Sequence, residues 1–99
     1  MNKFDANLLF DAYGSLLTKR QQEILKLYYQ EDLSYTEISE ELQISRQSVM
    51  DSVHRGLKLL EKFEENIKFL QFKDTIYSII DSSTNLEQCK RSLAELLNQ

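Results

Sequence analysis

The sequence predicts an all-α fold, and three observations carry that reading. Its 99 residues include no proline and two glycines, whereas sheet proteins of this size use both residues for their many turns. Apolar residues recur at three- and four-residue steps along most of the chain, the period of a helix with one buried face. Ser/Thr-x-x-Glu/Gln signatures at Thr18, Ser34 and Thr84 punctuate those steps where helices would begin.

The elements follow in order. Phe4, Leu8, Leu9 and Tyr13 share helical spacing, so a first helix is expected from about Phe4 to Tyr13, with Gly14 as its C′ stop. Thr18-Lys19-Arg20-Gln21 reads as a capping box opening a second helix, which carries Ile24, Leu25, Leu27 and Tyr28 and ends at the acidic turn Gln30-Glu31-Asp32. Ser34-Tyr35-Thr36-Glu37 opens a short third helix with Ile38 and Leu42 facing inward, and Ser45 caps a fourth helix three residues later. Two short helices joined by Gln43-Ile44 form a helix-turn-helix pattern. A left-handed Gln43, standing where such turns often have glycine, would carry strain of order 1 kcal/mol.

The fourth helix continues beyond a small domain's needs. Val49, Val53, Leu57, Leu60, Phe63 (or Glu64), Ile67 and Leu70 form one apolar stripe, so it is expected to run from Arg46 to about Leu70, ~37 Å at 1.5 Å per residue. Gly56, in its middle, implies either a close helix approach or a bend. The tail has an apolar face at Ile76, Ile79 and Ile80 and a polar break at Ser82-Ser83. Thr84-Asn85-Leu86-Glu87 then opens a last helix carrying Leu86, Leu93, Leu96 and Leu97. Two parts are expected: residues 1–70, a helix-turn-helix domain including the long helix, and residues 71–99, a C-terminal helical tail. The tail either folds back on the long helix or pairs with a second copy. The extra aromatics Phe69, Phe72 and Tyr77 favour a homodimer.

Composition narrows the function. Twelve Lys+Arg against 16 Asp+Glu give a net charge of −4, so nucleic-acid binding requires a local basic patch. With 41% hydrophobic and 28% charged residues and no apolar run approaching the ~20 residues of a transmembrane helix, no membrane insertion is expected. Met1-Asn2-Lys3-Phe4-Asp5 lacks the basic and apolar regions of a signal peptide. The expected location is therefore the cytoplasm. Cys89, the one cysteine, cannot form an intrachain disulfide and reads as a small packed residue. His54, the one imidazole, stands without Cys, Asp or Glu at metal-ligand spacing. No Gly-rich phosphate loop and no nucleophile–base pair are present. An enzyme, a cofactor and a metal are all unexpected.

The stretch Asp32-Leu33-Ser34-Tyr35-Thr36-Glu37-Ile38-Ser39-Glu40-Glu41-Leu42-Gln43-Ile44-Ser45-Arg46-Gln47-Ser48-Val49 resembles the helix-turn-helix of sigma-factor region 4. Over nearly the whole chain the sequence is similar to the YlxM family of small bacterial helix-turn-helix proteins. That similarity is carried by Leu9-Phe10-Asp11-Ala12-Tyr13-Gly14-Ser15-Leu16-Leu17-Thr18, Leu27-Tyr28-Tyr29, Ser45-Arg46-Gln47-Ser48-Val49-Met50-Asp51 and Leu60-Glu61-Lys62-Phe63-Glu64. The family resemblance implies an all-helical protein encoded beside signal recognition particle genes, with a regulatory role in that pathway. The sigma resemblance implies a bundle whose fourth helix enters the DNA major groove by its N-terminal turns.

The candidate nucleic-acid-binding residues follow from that placement. Arg46 suits a guanine or a phosphate, and Gln47 an adenine. Ser48 stands where it can touch phosphate or support the Ser45 cap. Arg55 and Lys58, one turn apart, either clamp a phosphate or form ion pairs with Asp51, Glu61 or Glu65. Lys19 and Arg20 sit at the helix end where positive charge opposes the dipole, which suggests a phosphate partner. Met50, Asp51 and Ser52 depart from the basic or small polar residues of sigma-like reading helices, and Asp51 would repel phosphate. Tyr28, Tyr29 and Tyr35, lacking a basic frame, make a poor base-stacking platform, and Tyr28 fits the core face.

Two functions compete. One is a DNA-binding regulatory protein connected with the signal recognition particle pathway. The other is a non-enzymatic adaptor on the same scaffold that docks a signal recognition particle protein or RNA through its acidic surface around Glu37, Glu40 and Glu41 and the pair Glu64-Glu65.

Overall fold

The computed structural model describes residues 3–98, with side chains from Ala6 onward. Met1, Asn2 and the expected inward position of the Phe4 side chain fall outside the described residues. The chain divides into two compact units between Ile67 and Lys68, and all its regular elements among the described residues are helical.

In the first unit, α1 (Lys3–Tyr13) buries Ala6, Leu9 and Tyr13, at steps of three and four, while Leu8 is 42% exposed and lies off the predicted face. Gly14 is not the left-handed stop expected of it, because no glycine here has positive φ. It starts a one-turn 3-10 segment, Gly14–Leu16. A Cβ at Gly14 would stand 3.1 Å from the Phe10 ring, so its smallness serves packing. Thr18 then caps α2 (Lys19–Leu25) with the predicted capping box: its hydroxyl accepts from the Gln21 amide, and its own amide donates to Gln21 Oε1. The helix widens into one π-helical turn, Lys26–Gln30. It ends at Asp32, which takes a left-handed conformation at φ 58° that Asp tolerates better than most residues.

Ser34 and Glu37 form the second capping box, opening α3 (Tyr35–Leu42). Gln43 terminates this helix at φ 57°, ψ 44°, the left-handed turn expected, with the Ile44 amide reaching back to the Ser39 carbonyl at 3.1 Å. Ser45 supplies the next cap, its Oγ accepting from the Ser48 amide at 3.0 Å, and α4 (Arg46–Ile67) follows. Val49, Val53, Gly56 and Leu60 line its buried face, which packs on α1, α2 and α3. There they meet the fully buried Ile24, Leu25 and Ile38. Burial of each such aliphatic side chain contributes about 1.5–3 kcal/mol, so this cluster fixes how α3 and α4 are presented. The two readings of Gly56 resolve toward close approach: a Cβ there would stand 2.9 Å from Leu25 Cδ1. Below it, the Tyr13 hydroxyl donates to Glu64 Oε1, and the Tyr13 and Phe63 rings lie 6.2 Å apart.

The predicted continuation of α4 to Leu70 is not observed. Lys68 adopts φ 58°, which ends α4 at Ile67 and starts α5 (Phe69–Ser82). No proline or glycine marks the break, so the spacing alone ran through it. The second unit is the pair α5 and α6 (Leu86–Leu97), packed on each other. The cap of α6 is one residue later than the Thr84 box predicts. Asn85 is the cap residue, its Oδ1 accepting from the Gln88 amide at 2.8 Å, and Gln88 Oε1 reaches back to the Thr84 amide at 2.6 Å. Ile76, Ile79, Leu93 and Leu96 are half-buried, and neither helix has a buried residue.

Candidate nucleic-acid interface

The core positions of α4 set which of its residues face outward. At about 100° per residue, the direction opposite Val49, Val53, Gly56 and Leu60 belongs to Gln47, Asp51, Arg55 and Lys58, all exposed. Arg46 lies to one side of this stripe, above α3. From Arg46 to Lys58 runs about 18 Å of helix axis, against a major groove ~12 Å wide. The first turn therefore suits base edges, while Arg55 and Lys58 suit the flanking phosphates.

Contacts within the first two turns are specific. The Arg46 guanidinium stands over the Tyr35 ring, 5.8 Å from its centroid, and Nη1 donates to Met50 Sδ at 3.5 Å. Tyr35 in turn stacks on Tyr28 at 4.8 Å with the planes 13° apart, and Tyr28 meets Tyr29 edge-on at 4.8 Å. The Tyr35 phenol is pushed up to about 12, first by its side-chain hydrogen bond with Tyr28, then by burial and the neighbouring phenols, against the pull of Arg46. Burial, with Tyr28 beside it, raises Tyr29 also. Tyr28 thus leaves the core face assigned to it and joins an aromatic ladder from the π-helical turn of α2 to the start of α4. Spacing could not reveal the ladder, because its tyrosines come from two elements and the guanidinium over them from a third.

Gln47 Nε2 donates to Asp51 Oδ1 at 3.0 Å. Asp51 therefore faces Gln47, and among the described residues Arg55 and Lys58 form no ion pair. Ser48 belongs to the cap: its amide donates to Ser45 Oγ, and its hydroxyl accepts from Ser45 at 2.8 Å. Lys19 and Arg20 open α2, a separate helix, where Arg20 approaches Glu23 at 3.9 Å with both side chains about half exposed. Such surface pairs contribute little, and among the described residues neither cation bonds to α4. Glu31, Asp32, Glu37, Glu40 and Glu41 are exposed. The backbone hydrogen bond at Ser34, with its side chain next, holds Glu37 below the usual carboxylate range. Glu64, expected in the acidic surface, is instead half-buried against Tyr13.

His54 is exposed, and no cluster of three or more metal-ligating side chains occurs among the described residues. No helix among them is long and apolar enough to cross a membrane.

A short capped helix, a left-handed turn and a second helix whose first turns project guanidinium and amide groups define a helix-turn-helix protein. The comparisons with known proteins agree. The chain belongs to the UPF0122 family, described as "Putative helix-turn-helix protein, YlxM / p13 like", which matches residues 1–99. It is 43% identical over 96 residues to a UPF0122 protein of Acetivibrio thermocellus, covering 93% of this chain and 82% of that protein. To a UPF0122 protein of Latilactobacillus sakei it is 40% identical over 100 residues, covering 93% and 88%. A Bacillus cereus relative shares 49% identity over 65 residues, covering 66% of this chain and 59% of its own length.

Proposed function

We propose that this chain is a DNA-binding regulatory protein that inserts the N-terminal turns of α4 into the major groove. The observation that carries this reading is the exposed side of α4: Gln47 at the entering end with Arg46 beside it, and Arg55 and Lys58, which form no ion pair among the described residues, about 13–18 Å further along. Arg46, Gln47 and Ser48 approach the bases and the nearest backbone. Arg55 and Lys58 hold phosphates, and Lys19 and Arg20 add a contact from α2. The connection to the signal recognition particle pathway rests on family resemblance. A homodimer through residues 68–98 completes the reading, since helix-turn-helix proteins commonly read paired half-sites and this hairpin leaves Phe69, Tyr77, Ile80, Leu86 and Leu97 47–70% exposed.

The exposed acidic surface of α3 and its preceding turn supports a second reading, in which the scaffold docks a basic signal recognition particle protein or its RNA-binding region. Fluorescence anisotropy with duplex DNA at 50 and 200 mM salt separates the two. DNA binding predicts that affinity falls steeply with salt, that Arg46→Ala weakens it about tenfold, and that Arg55→Ala or Lys58→Ala lowers the salt slope by about one. Affinity and slope indifferent to all three substitutions would refute it. Slower association with a signal recognition particle protein after reversing Glu40 and Glu41 to Lys would favour the adaptor.

A further inference from the structure

Asp51 is the residue least suited to a DNA-facing helix, yet it projects from the outward face of α4 one turn beyond Gln47. We infer that Asp51 is a positioning residue which fixes the Gln47 amide as an adenine-reading fork. The inference rests on the DNA-binding reading and adds a specificity to it. It follows from the 3.0 Å bond between Gln47 Nε2 and Asp51 Oδ1 and from the chemistry of the two groups. An ionised carboxylate only accepts hydrogen bonds, so the NH2 side of the Gln47 amide must face Asp51. One N–H is consumed there, and the carbonyl Oε1 and the second N–H remain for a ligand.

That remaining pair is one acceptor beside one donor. Adenine presents the complementary pair on its major-groove edge, N6–H as donor and N7 as acceptor. Guanine presents two acceptors, N7 and O6, so the pose that gives N7 its hydrogen bond sets O6 against Gln47 Oε1. Thymine O4 can accept the second N–H but has no neighbouring donor for Oε1, so it gains one bond. Cytosine offers a donor at N4 without the neighbouring acceptor and gains one bond. An unrestrained glutamine can rotate its amide to suit other edges; one tied to a carboxylate cannot. The cost of Asp51 is repulsion of phosphate, which Arg55 and Lys58 on the same face offset.

The position of Gln47 supports the assignment. It is the second residue of α4, in the turn that enters the groove first, whereas Arg46 is drawn aside over Tyr35. The amide thus stands on the outward face of the entering turn.

The test is selection of binding sites from a randomised duplex library by the full chain, repeated with Asp51→Ala and Gln47→Ala. Affinities are then measured for the best site carrying adenine, guanine or 7-deazaadenine at the selected position. The expected result is an adenine whose replacement by guanine, or by 7-deazaadenine lacking the N7 acceptor, costs the natural chain about tenfold. Asp51→Ala should bind all duplexes more tightly, having lost a negative charge, while its preference for adenine falls below about threefold. Gln47→Ala should be indifferent to 7-deazaadenine. This opposite movement of affinity and discrimination is something a merely structural role for Asp51 would not produce. Equal discrimination by Asp51→Ala and the natural chain overturns the inference and leaves DNA binding standing, as does a selected site without such an adenine. Failure to enrich any sequence overturns both.

Discussion

The two units of this chain are both helical and both amphipathic, yet they hold themselves together differently. In residues 3–67, Ile24, Leu25, Ile38, Val49, Val53 and Leu60 are almost wholly removed from water. In residues 68–98 the best-covered side chains are only half-buried, and Ile80, Leu86 and Leu97 are 50–70% exposed. Four helices can enclose a centre from several sides, whereas two helices meet along a single seam and leave their outer flanks wet. Periodicity therefore reports that a face wants burial. It does not report whether the same chain can provide it.

The largest test of this contrast is truncation in each unit. Leu60→Ala removes a side chain with 0% exposure and should destabilise the first unit by about 2–5 kcal/mol. Ile80→Ala should cost less than about 1 kcal/mol if the hairpin stands alone, because half of its surface is already in water. Urea unfolding at 1 and 100 μM protein sharpens the comparison. Should the exposed face pair with a second copy, the Ile80→Ala cost grows and the midpoint becomes concentration-dependent.

Gly56→Ala probes the tightest approach inside the first unit. Alanine improves intrinsic helix propensity by about 1 kcal/mol, but its Cβ would meet Leu25 Cδ1 at 2.9 Å. Leu25 is 1% exposed and would have to shift within the core, so overpacking of about 1–3 kcal/mol should win. A lower thermal midpoint is expected, and combining the change with Leu25→Ala should cost less than the two separate effects summed. Additivity would show that the helices do not touch there.

Much of the first unit was legible in the sequence because its signals are local. The boxes at Thr18 and Ser34, the Ser45 cap and the left-handed Gln43 each depend on residues within four positions. The failures share a cause as well. Gly14 looked like a helix stop, but its role is set by the Phe10 ring. Nothing local distinguishes Lys68 from a helical lysine, so the break after Ile67 passed unseen. At the candidate interface, spacing offered Asp51 the partner Arg55 at i+4, and side-chain placement chose Gln47 at i−4 instead. The tyrosine ladder joins two elements, with the Arg46 guanidinium added from a third, and has no signature in any one of them.

That ladder gives the first unit an alkaline signature. Tyr35 is raised to about 12 when folded, against about 10 in an unfolded chain. A raised phenol contributes stability that is fully present below pH 10 and is lost as pH climbs through 12, because the unfolded state ionises first. Tyr35→Phe should therefore flatten the fall in unfolding midpoint between pH 10 and 12. Solvent screening at this partly exposed site keeps the difference to a few degrees or less. An unchanged alkaline limb would mean that the phenol bond to Tyr28 does not outlast exchange with water.

The smallest expected effect compares the two left-handed residues that end α3 and α4. Gln43 at φ 57° and Lys68 at φ 58° carry the same steric cost, of order 1 kcal/mol relative to glycine. Gln43 recovers part of that cost, since its Nε2 donates to the Glu40 carbonyl at 2.8 Å, and glycine would also lose more backbone freedom on folding. Gln43→Gly should accordingly change stability by less than about 0.5 kcal/mol. Among the described residues no side-chain bond of this kind ties Lys68 to the end of α4, so Lys68→Gly should gain more than Gln43→Gly in the same urea experiment. If Gln43→Gly proved the more stabilising change, the amide bond to Glu40 would be contributing nothing to the turn. The backbone strain of α3's end would then be carried entirely by the buried contacts of Ile38.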